Sequence, residues 1–181
     1  MRNLILPKTF CPILLNSFPF FFLAGPVLGG DDWQQECFLQ LKNRLDQFKV
    51  AIPIRYHGGH PLLKYVMKGD DKEFDRQLPW ERRYLEIAAR SGCILFWLPR
   101  ESLVNPRSDG KPYATETRGE LGEWRGRLMY RRNLRIVVGG EEGFPGLKNI
   151  QRNFSYALDT DFPIYSTLGE TIIAAIQKSL Q

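Results

Sequence analysis

Residues 114–127 read ATETRGELGEWRGR and set Glu120 three positions behind Thr117, where a helix is expected to begin. Two chemistries suit that spacing. In one, Thr117 and Glu120 form a capping box and the acid serves the helix N-terminus. In the other, Glu120 is an ionised carboxylate that attacks an anomeric carbon and holds the sugar as a covalent ester. Hydroxyl or backbone donors from Thr117 would then keep it ionised. A second acid, Glu81, sits beside Trp80 in FDRQLPWERRYL. It reads as a first-turn acid next to a buried tryptophan, or as a second carboxylate with an aromatic wall for a flat ligand. Trp97, near the end of the apolar run CILFWLP, reads as core or as a surface on which a base stacks.

The segment LAGPVLGG is glycine-rich, yet it has neither the dinucleotide fingerprint nor the lysine of a phosphate loop. It reads as a strand-to-helix turn that needs a permissive backbone, or as a point of close approach to a ligand. Asp31 and Asp32 follow it and would repel phosphate there; either suits the cap of the next helix. Two histidines make a zinc site a poor fit, and no cofactor is expected. Cys11, Cys37 and Cys93 are odd in number and lack metal-ligand spacing, which fits buried thiols in a reducing compartment. The arginines at 125, 127, 131, 132 and 135 read as a solvated helix face and its end.

These residues need elements to position them. Apolar runs alternate with helical patterns. Strands are expected at residues 18–24, 50–54, 93–99, 135–140 and 163–167. Helices are expected at 32–47, 79–90 and 117–132, around 150–158, and from 168 onward. Residues 55–78 and 100–115 are polar connections, the second long enough to be functional. Strands alternating with helices predict one α/β domain over residues 17–181: a doubly wound, flavodoxin-like, five-stranded parallel sheet with helices on both faces, in the order 2-1-3-4-5. Ligands in such sheets bind beyond the carboxyl ends of the strands, where the order reverses. The loops carrying Gly25 and Pro26 and carrying Glu120 meet there. The candidate binding residues are Gly25, Pro26, Asp32, Trp80, Glu81, Trp97, Thr117 and Arg118, with Glu120 catalytic.

The first 26 residues have an early arginine, apolar runs and a small-residue end, the marks of a signal peptide. Lys8, Asn16 and three prolines interrupt them, too often for a membrane helix. Residues 1–16 are therefore expected to be a poorly ordered tail and the protein cytoplasmic, with no membrane partner. A net charge of +5 permits an anionic partner without demanding one, and nucleic acid is not the expected partner.

Three blocks in order resemble the nucleoside 2-deoxyribosyltransferase-like family. FFLAGPVLGGDDWQ resembles its opening strand, turn and helix; FDRQLPWERRYLEIAARSGCILFWLP its middle block; and TRGELGEW the motif with its catalytic glutamate, which falls on Glu120. The match covers roughly residues 20–140. The resemblance implies that Glu120 attacks C1′ of a 2′-deoxynucleoside-like substrate, a nucleoside or nucleotide, and that the base leaves. Water or a second base then takes the sugar, with retention. It further implies that Thr117 and Arg118 orient Glu120 or bind sugar oxygens, that Gly25 and Pro26 contact substrate, and that Glu81 assists at sugar hydroxyls or in proton transfer. A homo-oligomer is also implied. Ala114 stands where the studied transferases carry an aspartate, and of their Asn-Pro-Arg-Arg segment only Arg55 has a counterpart, in IPIRYHGG. Transfer and hydrolysis both stay open, as does a non-catalytic nucleotide-binding module on the same fold.

Overall fold

The computed structural model describes residues 2–13 and 18–181. One sheet of six parallel strands runs through it in the order β1-β3-β2-β4-β5-β6. The strands are β1 (Leu4–Ile5), β2 (Phe20–Ala24), β3 (Lys49–Ala51), β4 (Gly92–Leu98), β5 (Ile136–Gly140) and β6 (Ile164–Tyr165). Four α-helices connect strands, α1 (Trp33–Arg44), α2 (Gln77–Ser91), α3 (Thr115–Tyr130) and α4 (Leu147–Leu158), and α5 (Leu168–Ser179) follows the last strand. The expected 2-1-3-4-5 order is the order of β2 to β6.

The two faces follow from the period of two along each strand. Phe20, Phe22, Ile94, Phe96 and Leu98 point to one face, where α2, α3 and α4 bury Trp80, Tyr84, Trp124 and Phe154. Phe21, Leu23, Cys93, Leu95 and Trp97 point to the other, covered by α1 and α5. All seven residues of β4 are buried, as a strand covered on both sides requires. Gly92 opens that strand where β2 passes so close that a Cβ would collide with the Phe20 carbonyl.

The sixth strand corrects the expected count, and it comes from the segment expected as a tail. Leu4 and Ile5 are fully buried and pair with Val50 and Ala51 on the outer side of β3. Beyond them, Phe10 bridges Asp70, the Trp80 Nε1–H donates to the Thr9 carbonyl at 3.1 Å, and the Cys11 amide donates to the Tyr84 hydroxyl at 2.8 Å. A strand of two residues has no periodicity to read, and its anchors lie some seventy residues away. Residues 14–17, at the end of the expected tail and the start of the expected domain, lie outside the described residues.

Candidate active site

Between β2 and β4 the strand order reverses, and a crevice of about 520 Å³ opens beyond their carboxyl ends. The turn after β2 contributes Gly25 and Pro26, and the segment after β3 contributes Pro53 and Arg55. The first turns of α2 contribute Gln77 and Glu81. The loop before α3 contributes Arg107, Asp109 and Lys111, and the start of α3 contributes Thr117 and Glu120. A crevice of this size at this point in the topology accommodates a small organic ligand.

Close packing holds the Gly25–Pro26 turn. The Trp33 indole N–H donates to the Pro26 carbonyl at 3.0 Å. A Cβ on Gly25 would collide with the Trp97 carbonyl and lie 2.7 Å from the Trp33 ring. Glycine at position 25 is thus a steric requirement of the crevice floor.

Two carboxylates converge on the crevice. Glu120 is half-buried and its pKa is pushed up to about 7, chiefly because burial penalises the anion, with the charges of Glu81, Glu123 and Glu116 adding to the effect. Burial also raises Glu81, and a hydrogen bond from Gln77 partly offsets that. The same Gln77 Nε2 donates to Glu81 Oε1 at 2.8 Å and to the Pro53 carbonyl at 3.2 Å, so it aims the acid and ties α2 to the segment after β3. Thr117 is buried, yet among the described residues no hydrogen bond reaches the Glu120 carboxylate. The capping-box reading is corrected. Helix α3 starts at Thr115 behind Ala114, so Glu120 stands in its second turn.

Arg107 closes the remaining side. Its guanidinium grips Glu116 at 2.7 and 3.0 Å and Asp109 at 2.6 and 2.8 Å, while its amide donates to Glu101 at 2.9 Å. The grip lowers both acids to about 2. It also latches the loop onto the first turn of α3. Ala114 lines the crevice with a left-handed backbone, φ 57°, and offers no proton there.

Of the candidate residues, Gly25, Pro26, Glu81, Thr117 and Glu120 line one crevice. The other four do not. Trp80 is fully buried against Phe22 and Tyr84. Trp97 is core on the α1–α5 face. Asp32 caps α1 through Gln35 and ties down Tyr56 and His60, each at 3.0 Å, on the edge of a different cavity. Arg118 turns toward α4, lies over the Phe144 ring and donates to the Pro145 carbonyl at 3.2 Å. Arg107 went unread in the sequence, and Gln77 was read only as part of the middle block of the resemblance, with no role of its own. The signal for Gln77 was its four-residue spacing to Glu81; Arg107 had no local signal.

Fold and crevice together define a doubly wound α/β protein with a pair of carboxylates at its topological switch point. No protein-family model matches the chain, and no curated protein matches it.

Proposed function

We propose that the chain cleaves the N-glycosidic bond of a 2′-deoxynucleoside-like substrate, or transfers its sugar, through a covalent ester on Glu120. The observation that carries the reading is the convergence of Glu120 and Glu81 in one crevice at the switch point, with Glu120 half-buried and titrating near 7. The resemblance to the nucleoside 2-deoxyribosyltransferase-like family supports the same roles.

In the first step a Glu120 oxygen bonds to C1′, the C1′–N bond breaks, and its electron pair leaves with the base. Glu81, whose burial favours the protonated form, hydrogen-bonds a sugar hydroxyl or gives its proton to the departing base. With alanine at 114, no carboxyl from that position shares the task. In the second step water or an acceptor base bonds to C1′, Glu81 takes the proton that the nucleophile loses, and the bond from C1′ to the Glu120 oxygen breaks to release the carboxylate. Two displacements at one carbon retain configuration. Only the ionised fraction of Glu120 attacks, so turnover rises with pH through about 7.

The test is base release. Wild type and Glu120→Ala are incubated with deoxynucleosides, ribonucleosides and their phosphates, with and without an acceptor base, and products are separated by chromatography. New nucleoside from wild type alone establishes transfer, and free base alone establishes hydrolysis. Release that survives in Glu120→Ala removes the nucleophile. A second reading, a nucleotide-binding module, draws on the absence of any hydrogen-bond donor to the Glu120 carboxylate among the described residues. It predicts ligand-dependent thermal stability with no base released by either form.

A further inference from the structure

A cluster of arginines lies away from the carboxylate crevice. The later turns of α2 and α3 enclose a second cavity, of about 650 Å³, that shares no residue with the carboxylate crevice. Arg82, Glu86 and Arg90 recur at four-residue spacing along α2, and Arg127 and Arg131 do so at the end of α3. With Arg83 they give this wall five guanidiniums against one carboxylate.

Four of the five guanidiniums are held in position. Glu86 pairs with Arg90, with Arg127 at 2.7 Å and with Arg131 at 3.7 Å. Arg127 also lies over the Trp124 ring and pairs with Glu123 at 2.7 Å. Arg83 lies over the Phe10 ring at 4.7 Å. Arg82 and Arg83 have no carboxylate partner among the described residues. Glu86 and Glu123 occupy Arg127, while Arg82, Arg83 and most of Arg131 keep donor N–H groups unspent. Guanidinium is the side-chain group whose fork matches phosphate oxygens. Nearby helix C-termini disfavour an anion, by a fraction of what several guanidiniums supply.

We propose that this cavity binds a phosphate-bearing small molecule, its oxyanions seated among Arg82, Arg83, Arg127 and Arg131. Its size is that of a small-ligand site. The neighbouring arginines do not extend it into a track for a nucleic-acid strand. Arg125 lines a different cavity, Arg132 donates to the Leu158 carbonyl and Arg135 to that of Ser179. Tyr130, 89% exposed on the rim, offers a face for a base if the phosphates belong to a nucleotide.

Calorimetric titration tests the site, with inorganic tripolyphosphate and, separately, a nucleoside triphosphate at fixed ionic strength. The expected result is one equivalent of tripolyphosphate bound by wild type, with affinity falling as salt is added. Binding is about tenfold or more weaker in Arg82→Gln/Arg131→Gln, for a loss of about 1.4 kcal/mol or more. It is unchanged in Arg55→Gln/Lys111→Gln, which alters the crevice instead. Among the described residues Arg82 bonds to no other side chain, so Arg82→Gln alone, also weaker than wild type, excludes a folding artefact. A nucleoside triphosphate that binds more tightly than tripolyphosphate, with the advantage lost in Tyr130→Ala, identifies a nucleotide. Equal affinities identify the oligophosphate itself. The proposal is overturned if wild type shows no saturable binding, if the α2–α3 variants bind as wild type, if the crevice variant alone loses binding, or if only a single-stranded oligonucleotide binds.

Discussion

Glu120 carries the most testable chemistry of any single residue. Its carboxyl titrates near 7 in the fold against an ordinary value of 4.5, so the fold favours the protonated form. Below pH 4.5 the acid is protonated whether the chain is folded or not, and this favourable contribution is fully present. It is lost as pH rises to about 7, beyond which the charge is a constant burden. At 1.36 kcal/mol per pH unit the ceiling is about 3 kcal/mol, and partial exposure reduces it to about 1–3 kcal/mol. Glu120→Gln is therefore expected to stabilise the protein by that amount at pH 8 and to be neutral at pH 4. Urea unfolding at the two pH values measures it; an equal effect at both would mean that burial of the charge is not what shifts the acid. Glu81 contributes to the same shift through its charge. Glu81→Gln should then move the pH midpoint of base release downward, and an unmoved midpoint would separate the two carboxylates.

At the scale of elements, α2 and α3 position the crevice and their rotation decides which residues reach it. Successive helical residues turn by about 100°, so Glu81 faces the crevice while Trp80, one position earlier, faces the core. Glu120 and Arg118 are two positions apart and point to different sides of α3 in the same way. Strand parity separates Trp97 from the crevice, because Phe96 and Leu98 occupy the α2–α3 face. These rotations are what the sequence reading lacked. Residue types and block order were enough to identify Glu120, Glu81, Thr117 and the Gly25–Pro26 turn. The direction of each neighbour depends on where α2 and α3 begin, and both begin two residues before their expected starts. Arg107 was illegible because its partners are set by the path of a loop. Arg107→Ala should release that loop from α3. Limited proteolysis within residues 100–112 should accelerate several-fold, with a fall in melting temperature, since the Arg107 side chain is only 5% exposed and its loss leaves Asp109 and Glu116 unpaired. Unchanged cleavage would mean that the loop is held by Glu101 and the Tyr113 hydroxyl bond to the Pro99 carbonyl instead.

Across the whole molecule, the sheet's organisation was legible because β4 is a continuous apolar run and because strand and helix patterns alternate. The outer edge was not. There β1 protects β3: Val50 donates to the Asn3 carbonyl at 2.9 Å, Ile52 donates to that of Ile5 at 3.1 Å, and Met67 donates to that of Leu4 at 2.8 Å. The segment also buries Cys11 and supplies partners to Trp80 and Tyr84 on the helix that carries Glu81. A chain beginning at residue 18 loses all of this. Burial of Leu4 and Ile5 contributes about 1.5–3 kcal/mol each, against a total stability of about 5–15 kcal/mol for a domain. The bared edge of β3 then offers unpaired backbone groups to other chains. The truncated protein is expected to aggregate or to lose cooperative unfolding. The milder Leu4→Ala should cost about 2–5 kcal/mol in urea denaturation, as filling no other space leaves a cavity. A truncated chain with the wild-type midpoint would return the segment to the status of a tail. A loss of stability without aggregation would mean that the segment's weight lies in its anchoring of α2, and Tyr84→Phe, which removes the hydroxyl bonded to the Cys11 amide, would then reproduce part of it.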